Sequence, residues 1–149
     1  MPQLDTKFFG HISYEDEAVL EFPLGLPGFE ARRRFVVVQM PDAAPLVFLQ
    51  SLEDASLCFT TMPVQIVDPQ FRLAVTAEDL SLIGLSGGRQ PQIGKDVLCL
   101  AVLSIQETGP TANLLAPVVV NLANRRAVQA VAPESDYSCQ HALLETAAC

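Results

Sequence analysis

Seven consecutive residues, Val97-Leu98-Cys99-Leu100-Ala101-Val102-Leu103, leave neither parity of a strand polar. Successive side chains of a strand point to opposite faces, so this run must bury both, at the centre of a closed or strongly wrapped sheet. A second run narrows the fold further: Thr111-Ala112-Asn113-Leu114-Leu115-Ala116-Pro117-Val118-Val119-Val120-Asn121 sets a proline inside an apolar stretch bounded by asparagines. Proline cannot donate to a strand ladder, so Pro117 implies an edge, a bulge or a break. Asn113 and Asn121, if buried, would each forfeit about 1–3 kcal/mol by leaving amide groups unpaired. They staple loops or face a partner.

Elsewhere the short β-branched and aromatic runs between Pro, Gly and Asp read as strands. They cover residues 8–13, 18–22, 34–40, 46–52, 57–62, 71–75, 96–105, 113–121 with its break, and 126–132. The fold class is all-β, a single-domain barrel-like wrapped antiparallel sheet with one or two short helices. One helix follows Thr76 as N-cap, with Asp79 at the third position and Leu80, Leu82, Ile83 and Leu85 apolar, and should cover a barrel end. A second helix over 140–145 competes with a frayed tail over 138–149. Pro27-Gly28 suits the middle of a type II turn, with Phe22 and Phe29 packing that loop onto the core.

At 149 residues and 50% apolar content the chain suits one domain, residues 1–149, with one continuous core. Gln106 and Glu107 end its longest uncharged apolar run well short of the roughly 20 residues of a membrane helix. The N-terminus has neither a basic nor an apolar leader region, so a cytosolic protein is expected. Cys58, Cys99, Cys139 and Cys149 form no Cys-x-x-Cys pair; Cys58 and Cys99 sit in apolar triplets and read as reduced core residues. The formal net charge is −8, which argues against direct contact with nucleic acid and for a basic partner or none. Six acids lie in the first 30 residues, followed by the basic cluster Arg32-Arg33-Arg34.

Catalytic chemistry has little to work with. His11 and His141 are the only histidines, and nucleophilic catalysis needs a base oriented by a third group. Ser86-Gly87-Gly88 lacks the pattern of a phosphate-binding loop, and Glu15-Asp16-Glu17 lacks the spacing and glycine of a calcium loop. No cofactor or metal is called for.

Four segments in order resemble one family. Phe22-Pro23-Leu24-Gly25-Leu26-Pro27-Gly28-Phe29, Phe48-Leu49-Gln50-Ser51-Leu52, the 111–121 run and Gln129 are similar to the signatures of the FliW family of flagellar assembly factors, over residues 5 to 137. The chain departs where the family shows an aromatic followed by Arg-His-Pro-Leu, having Tyr137-Ser138-Cys139-Gln140-His141-Ala142-Leu143, and in carrying Phe71 where tyrosine is common. The resemblance implies a cytosolic protein-binding regulator that sequesters a CsrA-type translational repressor and binds flagellin, relieving repression of flagellin translation. It implies no enzyme activity and no cofactor. A monomer is expected when the protein is free. Candidate partner-binding residues are Leu49, Gln50 and Ser51 at a strand end, the adjacent acids Glu53 and Asp54, and Asn113; the other readings are a satisfied turn at the strand end and a structural staple at Asn113. The alternative is a small-molecule-binding barrel or an enzyme, which would need a polar, convergent interior.

Overall fold

The computed structural model describes residues 2–86, 88–107, 109–131 and 136–143. Its strands are β1 (Gln3–Thr6), β2 (Gly10–Ser13), β3 (Val19–Glu21), β4 (Arg34–Val38), β5 (Val47–Ser51), β6 (Cys58–Pro63), β7 (Val97–Gln106), β8 (Gly109–Asn121), β9 (Ala127–Gln129) and β10 (His141–Ala142). Two short helices, α1 (Val64–Val67) and α2 (Ala77–Leu82), lie between β6 and β7. β1 and β2 form a separate hairpin; the other strands make one antiparallel sheet in the order β10-β8-β7-β6-β5-β4-β3, with β9 also on β8. The far ends nearly close into a barrel, because Glu21 of β3 bridges to Arg126 and donates its N–H to the Arg125 carbonyl at 3.0 Å.

Residues 97–103 of β7 and most of β8 are covered on both faces, as the apolar run requires, whereas Ile105 near the end of β7 is exposed. Leu100, Val118 and Val120 pack with Leu20, Phe22, Phe35, Val47 and Leu49 in one cluster. Cys99, Ala101, Val119 and Ala112 pack with Val64, Phe71, Leu80 and Ile83 in another. The first cluster draws on every side of the barrel and fills it. The second covers the opposite face, where Leu80 of α2 packs; the helix lies against β9 and its end is tied to the end of β8 through Asn121. Thr76 caps α2, its hydroxyl accepting from Asp79 N–H at 3.2 Å.

The break at Pro117 is a wide bulge. β7 and β8 pair Leu100 with Val118 and Val102 with Asn113, so Leu114 to Pro117 together face Ala101 alone. An odd surplus of residues exchanges the faces: Ala112 before the bulge, Leu114 at its start and Val119 after it all reach the same outer cluster. Four polar groups freed by the bulge are met by signature side chains or by neighbouring segments of backbone. Asn113 Oδ1 accepts Ala116 N–H (2.9 Å), Gln129 Nε2 donates to Ala116 C=O (3.0 Å), Ala130 N–H donates to Pro117 C=O (2.9 Å), and Leu114 N–H donates to Ser138 C=O (2.9 Å).

Three expectations fail for identifiable reasons. Residues 71–75 form no strand, although Phe71 and Val75 are buried. Their backbone groups go to side chains instead: the Gln90 amide pairs with both N–H and C=O of Val75 (2.7 and 3.0 Å), and the Tyr137 hydroxyl accepts Arg72 N–H (2.9 Å). Residues 141–142 are a strand and not a helix, drawn into the ladder by Thr111 and Ala112; residues 144–149 lie outside the described residues. The first strand expected from residue 8 begins at Gly10, since Thr6 Oγ1 accepts Phe9 N–H (2.8 Å) and donates to Gly10 C=O (2.9 Å), turning the chain between β1 and β2.

Candidate functional site

The strand end at residues 49–51 supports a surface loop from underneath. Leu49, Gln50 and Ser51 are all fully buried. Leu49 belongs to the barrel core. Gln50 lies on the opposite parity, and its Nε2 reaches the carbonyls of Ser51 (3.1 Å), Asp54 (3.3 Å) and Ala55 (3.3 Å), gathering the loop onto one amide. Its Oε1 is buried without a hydrogen-bond partner among the described residues. Ser51 Oγ accepts the N–H groups of Glu53 and Asp54, both at 3.0 Å, which fixes the turn. None of these three side chains has surface to offer a partner. They carry the acids that do.

Glu53 is exposed, yet its Oε1 accepts backbone N–H from Arg33 (2.7 Å) and Arg34 (3.1 Å), tying the loop to the start of β4. Asp54 Oδ1 accepts both the hydroxyl (2.7 Å) and the N–H (3.0 Å) of Ser56. The Ser56 hydroxyl, then its N–H, hold the Asp54 carboxyl below its usual range, with the Arg32 guanidinium 3.9 Å away adding to the same direction. Both acids are therefore held in place before any partner arrives, which lowers the entropy lost on docking. Asn113 sits apart, half-buried in the bulge, with Oδ1 committed to the backbone. Asn121 is buried and ties β8 to the end of α2 through Ile83 C=O (2.7 Å).

The glycine-rich turn is built as expected. Phe29 N–H donates to Leu26 C=O at 2.7 Å, and Gly28 has φ +85°, as the third position of a type II turn requires. Gly25 answers a different need, since a Cβ there would lie 2.6 Å from the Glu30 backbone. Phe22 is buried edge-on against Phe35, whereas Phe29 stays partly exposed against Phe59.

Among the described residues no three His, Cys, Asp or Glu side chains gather to hold a metal ion, and no helix is long and apolar enough to cross a membrane. His11 stands exposed on β2 between Asp5 (2.6 Å) and Gln3 (2.9 Å). Gln50 anchors a satisfied turn, one of the two readings open for this strand end; the run Ser51-Leu52-Glu53-Asp54-Ala55-Ser56 behind it is rich in turn formers.

A model of the FliW protein family matches residues 3–143. The flagellar assembly factor FliW of Pseudothermotoga lettingae is 36% identical over 140 residues, 89% of this chain and 82% of that protein. That of an Azoarcus species is 33% identical over 131 residues, 87% of this chain and 90% of the relative. A crystal structure of the flagellar assembly factor FliW superposes with a TM-score of 0.80 at 26% identity, covering 94% of this chain and 95% of that one. With four signature segments in order, the barrel they build and relatives matched along most of their length, the chain belongs to the FliW family of flagellar assembly factors.

Proposed function

We propose that this protein is a cytosolic binding regulator that sequesters a CsrA-type translational repressor and binds flagellin, so relieving repression of flagellin translation. It works by surface contact and not by catalysis, and it is a monomer when free. The observation that carries the reading is the loop over residues 51–57, where two acids are held at the surface by buried polar anchors and by the backbone of Arg33 and Arg34. Family membership supports the flagellar setting. The filled apolar interior favours this reading over a ligand-binding barrel.

A repressor of translation carries basic residues beside its RNA groove. An acidic protein with net charge −8 meets a favourable field on approach to that groove, and once docked it opposes phosphate. Two unit charges about 8 Å apart in water interact by about 0.5 kcal/mol, and several acids under physiological screening sum to about 1 kcal/mol. Occlusion or a change of shape in the repressor supplies the remainder.

Calorimetry of the folded, monomeric protein with the cognate repressor should give a saturating heat at micromolar concentration, and none with the repressor's RNA target alone. A flat titration against the repressor removes the proposal.

A further inference from the structure

The cations of this acidic chain are not spread over its surface. Arg32, Arg33 and Arg34 lead into β4, and Arg125 and Arg126 close the turn after β8; they are five of the nine Lys and Arg residues. The fold brings both groups to the seam where the barrel closes. Glu21 pairs with Arg34 on one side and bridges to Arg126 on the other. Phe22 N–H donates to Arg33 C=O at 2.7 Å and Glu21 N–H to Arg125 C=O at 3.0 Å, which fixes the arrangement. Residues paired across neighbouring strands present their side chains on one face, so Arg34, Glu21 and Arg126, all exposed, form a row across the outside.

The row sets two guanidinium groups against one carboxylate, that of Glu21, which among the described residues makes no ion pair with either. Among the described residues, the guanidinium groups of Arg33, Arg34, Arg125 and Arg126 take part in no ion pair or hydrogen bond, and Arg32 only approaches Asp54 at 3.9 Å. The adjacent Glu53 has one carboxylate oxygen committed to the backbone N–H groups of Arg33 and Arg34. Arg125 has φ +61°, a left-handed conformation that glycine or asparagine adopts with less strain. An arginine at that place therefore holds a charge where turn geometry alone would favour another residue. Leu122, 47% exposed in the same turn, adds an apolar contact beside the charges.

We propose that this seam is a docking surface for an acidic segment of a partner protein, with Asp or Glu carboxylates taken by the forks of Arg34 and Arg126 and flanked by Arg33 and Arg125. The planar guanidinium offers two parallel N–H donors that match a carboxylate. A short peptide responds to charge within about a Debye length, roughly 8 Å at physiological salt, whereas a long polyanion such as RNA also meets the negative remainder of the molecule. The surface is distinct in chemistry from the acidic loop and does not rest on the repressor reading.

The test is fluorescence anisotropy of a labelled glutamate-rich peptide titrated with the full chain, beside a labelled oligouridine. The parent should bind the peptide, more weakly as salt rises, and prefer it to oligouridine. Arg34→Gln with Arg126→Gln should weaken peptide binding about tenfold, a loss of about 1.4 kcal/mol. Arg72→Gln, exposed beside Tyr137 near the bulge end of β8 and away from the seam, should leave it unchanged. Arg125→Gly should bind more weakly while melting no lower than the parent, because glycine accepts the positive φ, and this separates binding from folding. Absence of peptide binding at low salt, equal binding by the Arg34 and Arg126 double variant, or tighter binding of oligouridine overturns the proposal.

Discussion

Asn113 shows how a polar residue inside an apolar strand is accounted for by one bond. Its Oδ1 accepts Ala116 N–H inside the bulge. Asn113→Ala should therefore lower stability by roughly 1–3 kcal/mol in urea unfolding, with repressor affinity per folded molecule unchanged. Cysteine chemistry follows burial in the same way: burial pushes the Cys58 thiol up to about 11 and the Cys99 thiol up to about 12. Thiolate is the reacting species, so iodoacetamide at about pH 8 should modify exposed Cys139 before Cys58, and Cys99 only in denaturant, as peptide mass spectrometry would read. Asp54 gives the pH dependence. Its folded-state value is depressed, so its ionised form contributes stability above the unfolded value and that contribution disappears as pH falls through the folded one. The melting difference between the parent and Asp54→Asn should shrink on acidification. A difference that grows towards low pH would mean that the Ser56 contacts do not favour the carboxylate.

At the scale of elements, the bulge in β8 decides which side chains reach which core. Deleting Leu115 would make the surplus even and turn the residues of one half of β8 to the wrong face. Such a variant should lose its cooperative melt and expose apolar surface to a reporter dye, whereas Leu115→Ala should fold. This much of the fold was legible, because proline in an apolar run and seven residues without a polar parity each allow few arrangements. The Thr76 cap and the Pro27-Gly28 turn were legible for the same reason, being local chemistry. Residues 71–75 were not, since Gln90 and Tyr137, which take the place of a strand partner, come from distant parts of the chain. Gln50 left two readings open, a partner contact and a satisfied turn, for a related reason: a glutamine at a strand end looks the same whether it faces water or three carbonyls.

For the whole molecule, charge acts on encounter more than on stability. Glu53→Gln retains an oxygen for the N–H groups of Arg33 and Arg34, so the variant carrying it together with Asp54→Asn should keep the fold while associating with the repressor more slowly and with less dependence on salt. At equal occupancy of the repressor it should displace RNA less completely, and the gap should narrow as salt rises; equal displacement at every salt concentration would leave contact geometry as the whole cause. The gathering of arginines at one seam could not be read from the sequence, because it needs β3 to lie between two segments far apart in the chain. That same closure has a mechanical side. Among the described residues the barrel is a belt fastened by a single latch, the bridge from Glu21 to Arg126, while each pairing from β3 round to β8 is a ladder of several residues. A latch with one tooth opens before the belt tears, so the Glu21 amide should exchange its hydrogen ahead of those inside β4 and β5, and whatever grips both sides of the seam should slow that exchange.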